Sequence, residues 1–249
     1  MTASLYSSRA AASRHIQHEP VLRLENVAYT YAHGMQTKAA LEPINLNIRR
    51  GEFVCVVGPS GSGKSTLLAL LAGFLKPQQG QILLEGQPLN GPNAGQTLVQ
   101  QEAALFPWLT VCGNVEFGLE RKGMKRSERK KRALDTLELV GLLEFAERRV
   151  HELSGGQRQR VSIARGLVLE PSLLLLDEPF SALDVSTREH LGVELLELWK
   201  RTGTTILFVT HHLDEALRLG GRVIALRDGK MVLEGESSGI TEPQLRALL

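Results

Sequence analysis

The stretch Phe53-Val54-Cys55-Val56-Val57-Gly58-Pro59-Ser60-Gly61-Ser62-Gly63-Lys64-Ser65-Thr66-Leu67-Leu68-Ala69-Leu70-Leu71 decides the fold. Its opening run, Phe53 to Val57, is apolar at every position, as a strand covered on both faces requires. Upstream, Ile44, Leu46 and Ile48 alternate with Asn45 and Asn47, the period of a half-exposed strand, and Arg50-Gly51 turns the chain into the buried one. From Thr66 the run is helical. Between strand and helix stands G-x-x-x-x-G-K-S, in the strand, loop, helix setting this motif needs. Gly58, Gly61 and Gly63, with Pro59, Ser60 and Ser62 between them, let successive backbone N–H groups turn inward around phosphate oxygens. The helix start at Thr66 adds partial positive charge, Lys64 adds a point charge, and Ser65 offers an oxygen to Mg²⁺. A Gly-Ser turn containing a chance lysine would need neither flanking element.

Downstream, Leu173 to Leu176 is a second wholly apolar strand, and it delivers Asp177 and Glu178 at its C-terminal end, where α/β sheets place their ligands. Asp177 is placed to hold Mg²⁺ and Glu178 to polarise an attacking water, although either acid alone would read equally as a solvated strand end or a helix cap. Thr204 to Val209 reads as a third buried strand, separated from the second by a helix-length segment, which is the pattern of a mostly parallel sheet. Asp228-Gly229 between two apolar runs signals a hairpin and an antiparallel edge. No strand pattern appears from Gly118 to Ser154, where Ala133, Leu137 and Val140 share a helical face. The expected organisation is a flexible tail over 1–20 and one α/β domain over 21–249, with a helical subdomain inserted at about 102–168.

Composition narrows the function classes. Lys and Arg number 29 against 27 Asp and Glu, a net charge of +2, too balanced for a general nucleic-acid coat. The longest run without charge, Gly86 to Gln101, is broken by Pro88 and Pro92, so no spanning helix is expected, since one needs about 20 apolar residues. Cys55 and Cys112 are the only cysteines, which predicts no disulfide framework and a reducing compartment. Arg121 to Arg132 holds eight Lys or Arg and one acid. It reads either as a solvated helix and linker or as a contact for anionic lipid headgroups.

Leu153-Ser154-Gly155-Gly156-Gln157, followed by Arg158-Gln159-Arg160, resembles the signature of the ATP-binding cassette (ABC) ATPases. Physically it is a Ser and two Gly opening a helix whose Gln157, Val161, Ala164 and Val168 share a face: a second anion site, or in isolation a plain helix cap. The resemblance runs from about Val21 to Glu236. It implies a phosphate-loop (RecA-like) ATPase core with an antiparallel β edge and a helical signature subdomain, with ATP and Mg²⁺ as ligands. By motif, Tyr31 falls at the adenine-stacking position, though Tyr29 competes for it. Gln101 falls at the glutamine loop as a metal and catalytic residue, Ser181 to Asp184 after the paired acids, and His211 at the switch histidine. The sequence departs from the family pattern at Gln100, at His212 where Asp is common, and at Gly220-Gly221. Because Thr204 to Val209 is β-like, His211 and His212 are expected to project to opposite sides, with only His211 facing the γ-phosphate.

Within the family, Gly91 to Gly95, Leu105 to Trp108 and Asn114 to Leu119 resemble the ATPase subunits of bacterial importers for nitrate, sulfonates and taurine. The extra β-rich regulatory domain of sugar-importer relatives is not expected. The resemblance implies a head-to-tail pair with a second ABC ATPase subunit, most simply a homodimer, a separate transmembrane permease and an extracytoplasmic solute-binding protein. No nucleic acid partner is implied. The expected location is peripheral, on the cytoplasmic face of the inner membrane. The alternative reading is a soluble ABC ATPase acting on ribosomes or nucleic acid.

Overall fold

The protein is described by a computed structural model over residues 20–33 and 36–249. The expected tail lies outside the described residues except for Pro20, which opens the first strand. Strands β1 (Pro20–His33) and β2 (Gln36–Arg49) pair antiparallel, and β3 (Phe53–Val57) leads through the glycine-rich loop to α1 (Lys64–Leu71). Then come β4 (Gln79–Leu84), β5 (Gln87–Pro88) and β6 (Gln96–Val99). Helices α2 (Val111–Arg121), α3 (Arg126–Leu139) and α4 (Gly155–Leu167) follow without an intervening strand. The chain continues through β7 (Leu173–Asp177), α5 (Val185–Thr202), β8 (Ile206–Thr210) and α6 (Leu213–Leu219). It closes with β9 (Arg222–Arg227), β10 (Lys230–Glu236) and α7 (Glu242–Leu248).

Packing divides these elements into two compact units. Among the described residues, one takes in Val99–Pro171 and Pro179–Gly203, the other the residues up to Leu98 with Ser172–Glu178 and Thr204–Leu249. The second unit carries the sheets. The larger sheet runs six strands in the order β10-β9-β3-β8-β7-β6, with β3 parallel to β8 and β9, and β7 parallel to β8. Every residue of β3 and β8 is buried, which is why both read as unbroken apolar runs. β10 returns antiparallel to β9 through Asp228 and Gly229, both at positive φ (49° and 78°), the geometry a two-residue hairpin demands. A further antiparallel sheet, β2-β1-β4-β5, was legible only in part. β4 opens with three exposed residues, Gln79 to Gln81, so its alternation is too short to register. Leu24, Leu46, Ile82, Leu70, Leu175 and Ile224 join one core between the sheets and α1.

In the other unit, α2, α3 and α4 enclose Val111, Val115, Leu119, Leu137, Val161 and Ala164. Ala133 and Leu137 are fully buried there, with Val140 packed partly against them, as their spacing predicts. Five of the eight bases in the 121–132 stretch are engaged internally. Arg129 reaches Glu116 and Glu120, Lys130 Glu147, Lys131 Asp135, and Arg132 Glu128 and Glu170. Lys122 donates to the Leu169 carbonyl. This helix face is therefore largely charge-compensated, which favours the solvated-helix reading over lipid contact. No helix among the described residues is long and apolar enough to cross a membrane.

Candidate functional site

The glycine-rich loop takes its shape from close backbone approaches. Gly63, at φ 105°, would place a Cβ 2.5 Å from the Ala40 carbonyl oxygen, and Gly58 would place one 2.2 Å from that of Leu226. Neither position admits a side chain. Gly63 is also the N-cap of α1, and α1 has no side-chain cap, whereas Thr110, Ser154 and Asp184 cap α2, α4 and α5. The first N–H groups of α1 are thus left for a ligand, and a helix N-terminus of this kind favours an anion. Ser62 Oγ is buried in the same loop without a hydrogen-bond partner, a cost of roughly 1–3 kcal/mol that an incoming acceptor would remove.

Lys64 is buried and its Nζ donates to the carbonyls of Gly58 (2.7 Å) and Pro59 (2.9 Å). Burial lowers its pKa, and the charges of Glu178 and Asp177 act against that shift. Asp177, at the end of β7, is shifted upward by burial and by Glu178, with Lys64 opposing. These three groups therefore form one electrostatically coupled set within a single unit. Glu178 follows at φ 42°, a left-handed conformation that costs a non-glycine residue roughly 1–3 kcal/mol. Its amide donates to the Val209 carbonyl (2.9 Å), which ties the strained residue to the end of β8. Glu178 Oε2 lies 2.9 Å from His211 Nδ1. With the carboxylate ionised, this contact requires the proton on Nδ1, which would leave Nε2 for another partner.

The two histidines do not diverge. β8 ends at Thr210, and His211 and His212 sit in the turn that enters α6, with ring centroids 4.1 Å apart and planes at 38°. The strand alternation invoked for them stops one residue too early. The turn is held by residues the sequence reading missed: Thr210 Oγ1 donates to the buried Glu215 carboxylate and accepts from the His212 amide (3.1 Å). A glutamate in the first turn of a short helix directly after a strand was the available signal.

The remaining candidates lie on other elements. Tyr29 packs against the core while Tyr31, in edge contact with it at 5.0 Å, is 43% exposed. Gln101 is exposed and belongs to the other unit, as do Ser154 to Gln157. There Ser154 Oγ accepts from the Gln157 amide and Gln157 Oε1 from the Ser154 amide, a reciprocal capping box. Gln157 thus serves the helix end rather than the packed face formed by Val161, Ala164 and Val168.

The uncapped helix end, the orphaned Ser62 hydroxyl and the buried Lys64 fit a polyphosphate. Ser65 and Asp177 are hard oxygen donors of the kind Mg²⁺ takes in small number from protein. The fold and this loop define a phosphate-loop nucleotide-binding protein. Residues 41–181 match the ABC transporter family, and the chain belongs to it. The taurine import ATP-binding protein TauB of Pseudomonas aeruginosa is 47% identical over 205 residues, covering 82% of this chain and 78% of that one. Its namesake from Sinorhizobium fredii is 50% identical over 186 residues, 75% of this chain and 70% of the other. Among solved structures, the dimeric bacterial ABC transporter cassette MJ0796 superposes with a TM-score of 0.77 at 39% identity, over 88% of this chain and 100% of that chain. CbiO1 of Clostridium perfringens, part of the ABC transporter complex cbiONQ, gives 0.83 at 32% identity, over 92% and 93%.

Proposed function

We propose that this chain is the ATP-hydrolysing subunit of a membrane importer, working as a head-to-tail pair of cassettes joined to a separate permease, with a small sulfonate such as taurine as cargo and an extracytoplasmic binding protein to deliver it. The observation that carries the chemistry is the grouping of Lys64, Asp177, Glu178 and His211 behind one uncapped helix end. In this reading Gly58 to Thr66 bind the phosphates through backbone N–H groups and the Lys64 ammonium, and Tyr31 stacks on the base. Ser65, Asp177 and Gln101 would hold Mg²⁺, which when bound neutralises charge on the β- and γ-phosphates. Glu178 orients the attacking water and accepts its proton, while His211 holds the Glu178 carboxylate and reports on the γ-phosphate. Ser154, Gly155, Gly156 and Gln157 of one cassette close on the nucleotide held by the other. The cargo assignment rests on the taurine import relatives.

The test separates binding from turnover. Lys64→Ala should weaken ATP binding at least tenfold, whereas Glu178→Gln should bind ATP normally and lose about a hundredfold or more in kcat, the scale of a lost general base. Near-normal hydrolysis by Glu178→Gln would remove the assigned base.

A further inference from the structure

The switch position carries two imidazoles instead of one, and they are in contact. His211 bears the 2.9 Å contact to Glu178, yet it is on an exposed turn, with 47% of its side chain open to solvent. One hydrogen bond fixes where the Nδ1 atom lies but leaves the ring free to swing about it. The second constraint is His212, whose ring lies against it at 4.1 Å and 38°. His212 is itself anchored: its amide donates to Thr210 Oγ1, and that hydroxyl donates to the buried Glu215 at the base of α6. A chain of contacts therefore runs from the Glu215 carboxylate through Thr210 Oγ1 to the His212 amide, and from the His212 ring to that of His211. The Glu178 amide is bonded in turn to Val209, the residue before Thr210.

Resting on the ATPase reading above, we propose that His212 is a positioning residue for hydrolysis: its ring stacks on His211 and holds that imidazole in the plane that keeps Nδ1 on Glu178 and frees Nε2 for the phosphate. The contact that carries this role is ring against ring. Aromatic side chains in contact add attraction beyond the area they bury. An aromatic hydrocarbon ring should therefore serve in its place, and a small side chain should not.

The experiment compares His212→Ala with His212→Phe in the full chain assembled with its permease. His212→Ala should lower kcat about tenfold, within the roughly hundredfold that an ångström-scale misplacement can cost, with KM for ATP within about twofold of the parent. His212→Phe should recover most of that loss. The second readout is the ring-proton NMR of His211 in the isolated chain, located by its disappearance in His211→Ala. Those signals should move when His212 becomes Ala, which removes a neighbouring ring current, and in His212→Phe they should show a ring-to-ring NOE to residue 212. Equal kcat values for the two variants, whether both high or both low, overturn the proposal, as does a His211 signal indifferent to His212→Ala. A parent protein that binds but does not hydrolyse ATP would defeat the ATPase reading, and the NMR comparison would still decide whether the rings are coupled.

Discussion

Glu178 concentrates the physical problem at the scale of single residues. It is held at φ 42°, bonded through its amide to Val209 and through its carboxylate to His211. None of these ties favours folding by much, and the backbone conformation opposes it. Their joint effect is to aim one carboxylate oxygen, which is a reason for strain to persist at such a site. Lys64 shows the same economy, since its ammonium is satisfied by the carbonyls of Gly58 and Pro59 and is pre-placed on the loop it serves. The cysteines are the contrasting case, buried groups with packing roles. Cys55, inside β3, is pushed far above the ordinary thiol range by burial and by the charge of Glu215, and Cys112 is pushed to about 11, chiefly by burial. A pKa of about 11 leaves roughly one thiolate in a thousand at pH 8, and the thiolate is the reactive form. Native protein at pH 8 should therefore resist iodoacetamide at both positions, and both should alkylate in denaturing urea. Intact mass after timed quenching reads this directly, and fast native labelling of either cysteine would contradict its burial.

Helix ends decide what each element can do. α1 begins without a side-chain cap and so keeps its amides for a ligand, while α4 begins with the Ser154–Gln157 box, which ties the same residues to the helix. Ser154 is exposed, so its hydroxyl stays accessible beyond the cap. Ser154→Ala should then lose about 1 kcal/mol of stability from the missing cap and, if Ser154 meets the phosphate as proposed, should also show a fall in ATPase activity. Urea titration and steady-state hydrolysis measure them separately. Ser154→Asp retains a capping acceptor, so it should restore stability and not activity; recovery of both would reduce Ser154 to a cap. Elements of the sheet were legible in the sequence to the extent that burial was uniform. β3, β7 and the Asp228-Gly229 hairpin were readable because one rule governs all their residues. β8 was misplaced at its ends, since Thr204 and Thr205 look β-like although the strand begins at Ile206, and the buried Thr205 hydroxyl accepts from the Gly51 amide instead. That small displacement produced the error about the histidines. Strand alternation was carried into a turn whose geometry depends on the Thr210–Glu215 contact, a tertiary detail that no periodicity encodes.

At the scale of the whole molecule, one phosphate loop and one Ser154–Gln157 stretch are present per chain, and they belong to different compact units. If each nucleotide is closed between the loop of one copy and the signature of another, dimerisation and ATP binding are a single equilibrium. Closure would bring the Glu178 carboxylate into a dry site beside the phosphate charges. Two like charges 4 Å apart repel by about 1 kcal/mol in water but about 4 kcal/mol at an effective dielectric near 20. Glu178→Gln removes that repulsion together with the base, so it should both prevent turnover and stabilise the closed pair. Light scattering of purified Glu178→Gln should give a mass near 27.4 kDa without nucleotide and close to twice that with saturating MgATP, while MgADP should leave it monomeric. Lys64→Ala combined with Glu178→Gln should stay monomeric in ATP, because the pair then lacks the nucleotide that joins it. The parent protein, which hydrolyses what closes it, should show the heavier species only transiently. A Glu178→Gln protein that binds MgATP at full stoichiometry and remains monomeric would show that the loop alone suffices to hold the nucleotide, and the head-to-tail arrangement would then fail for this chain.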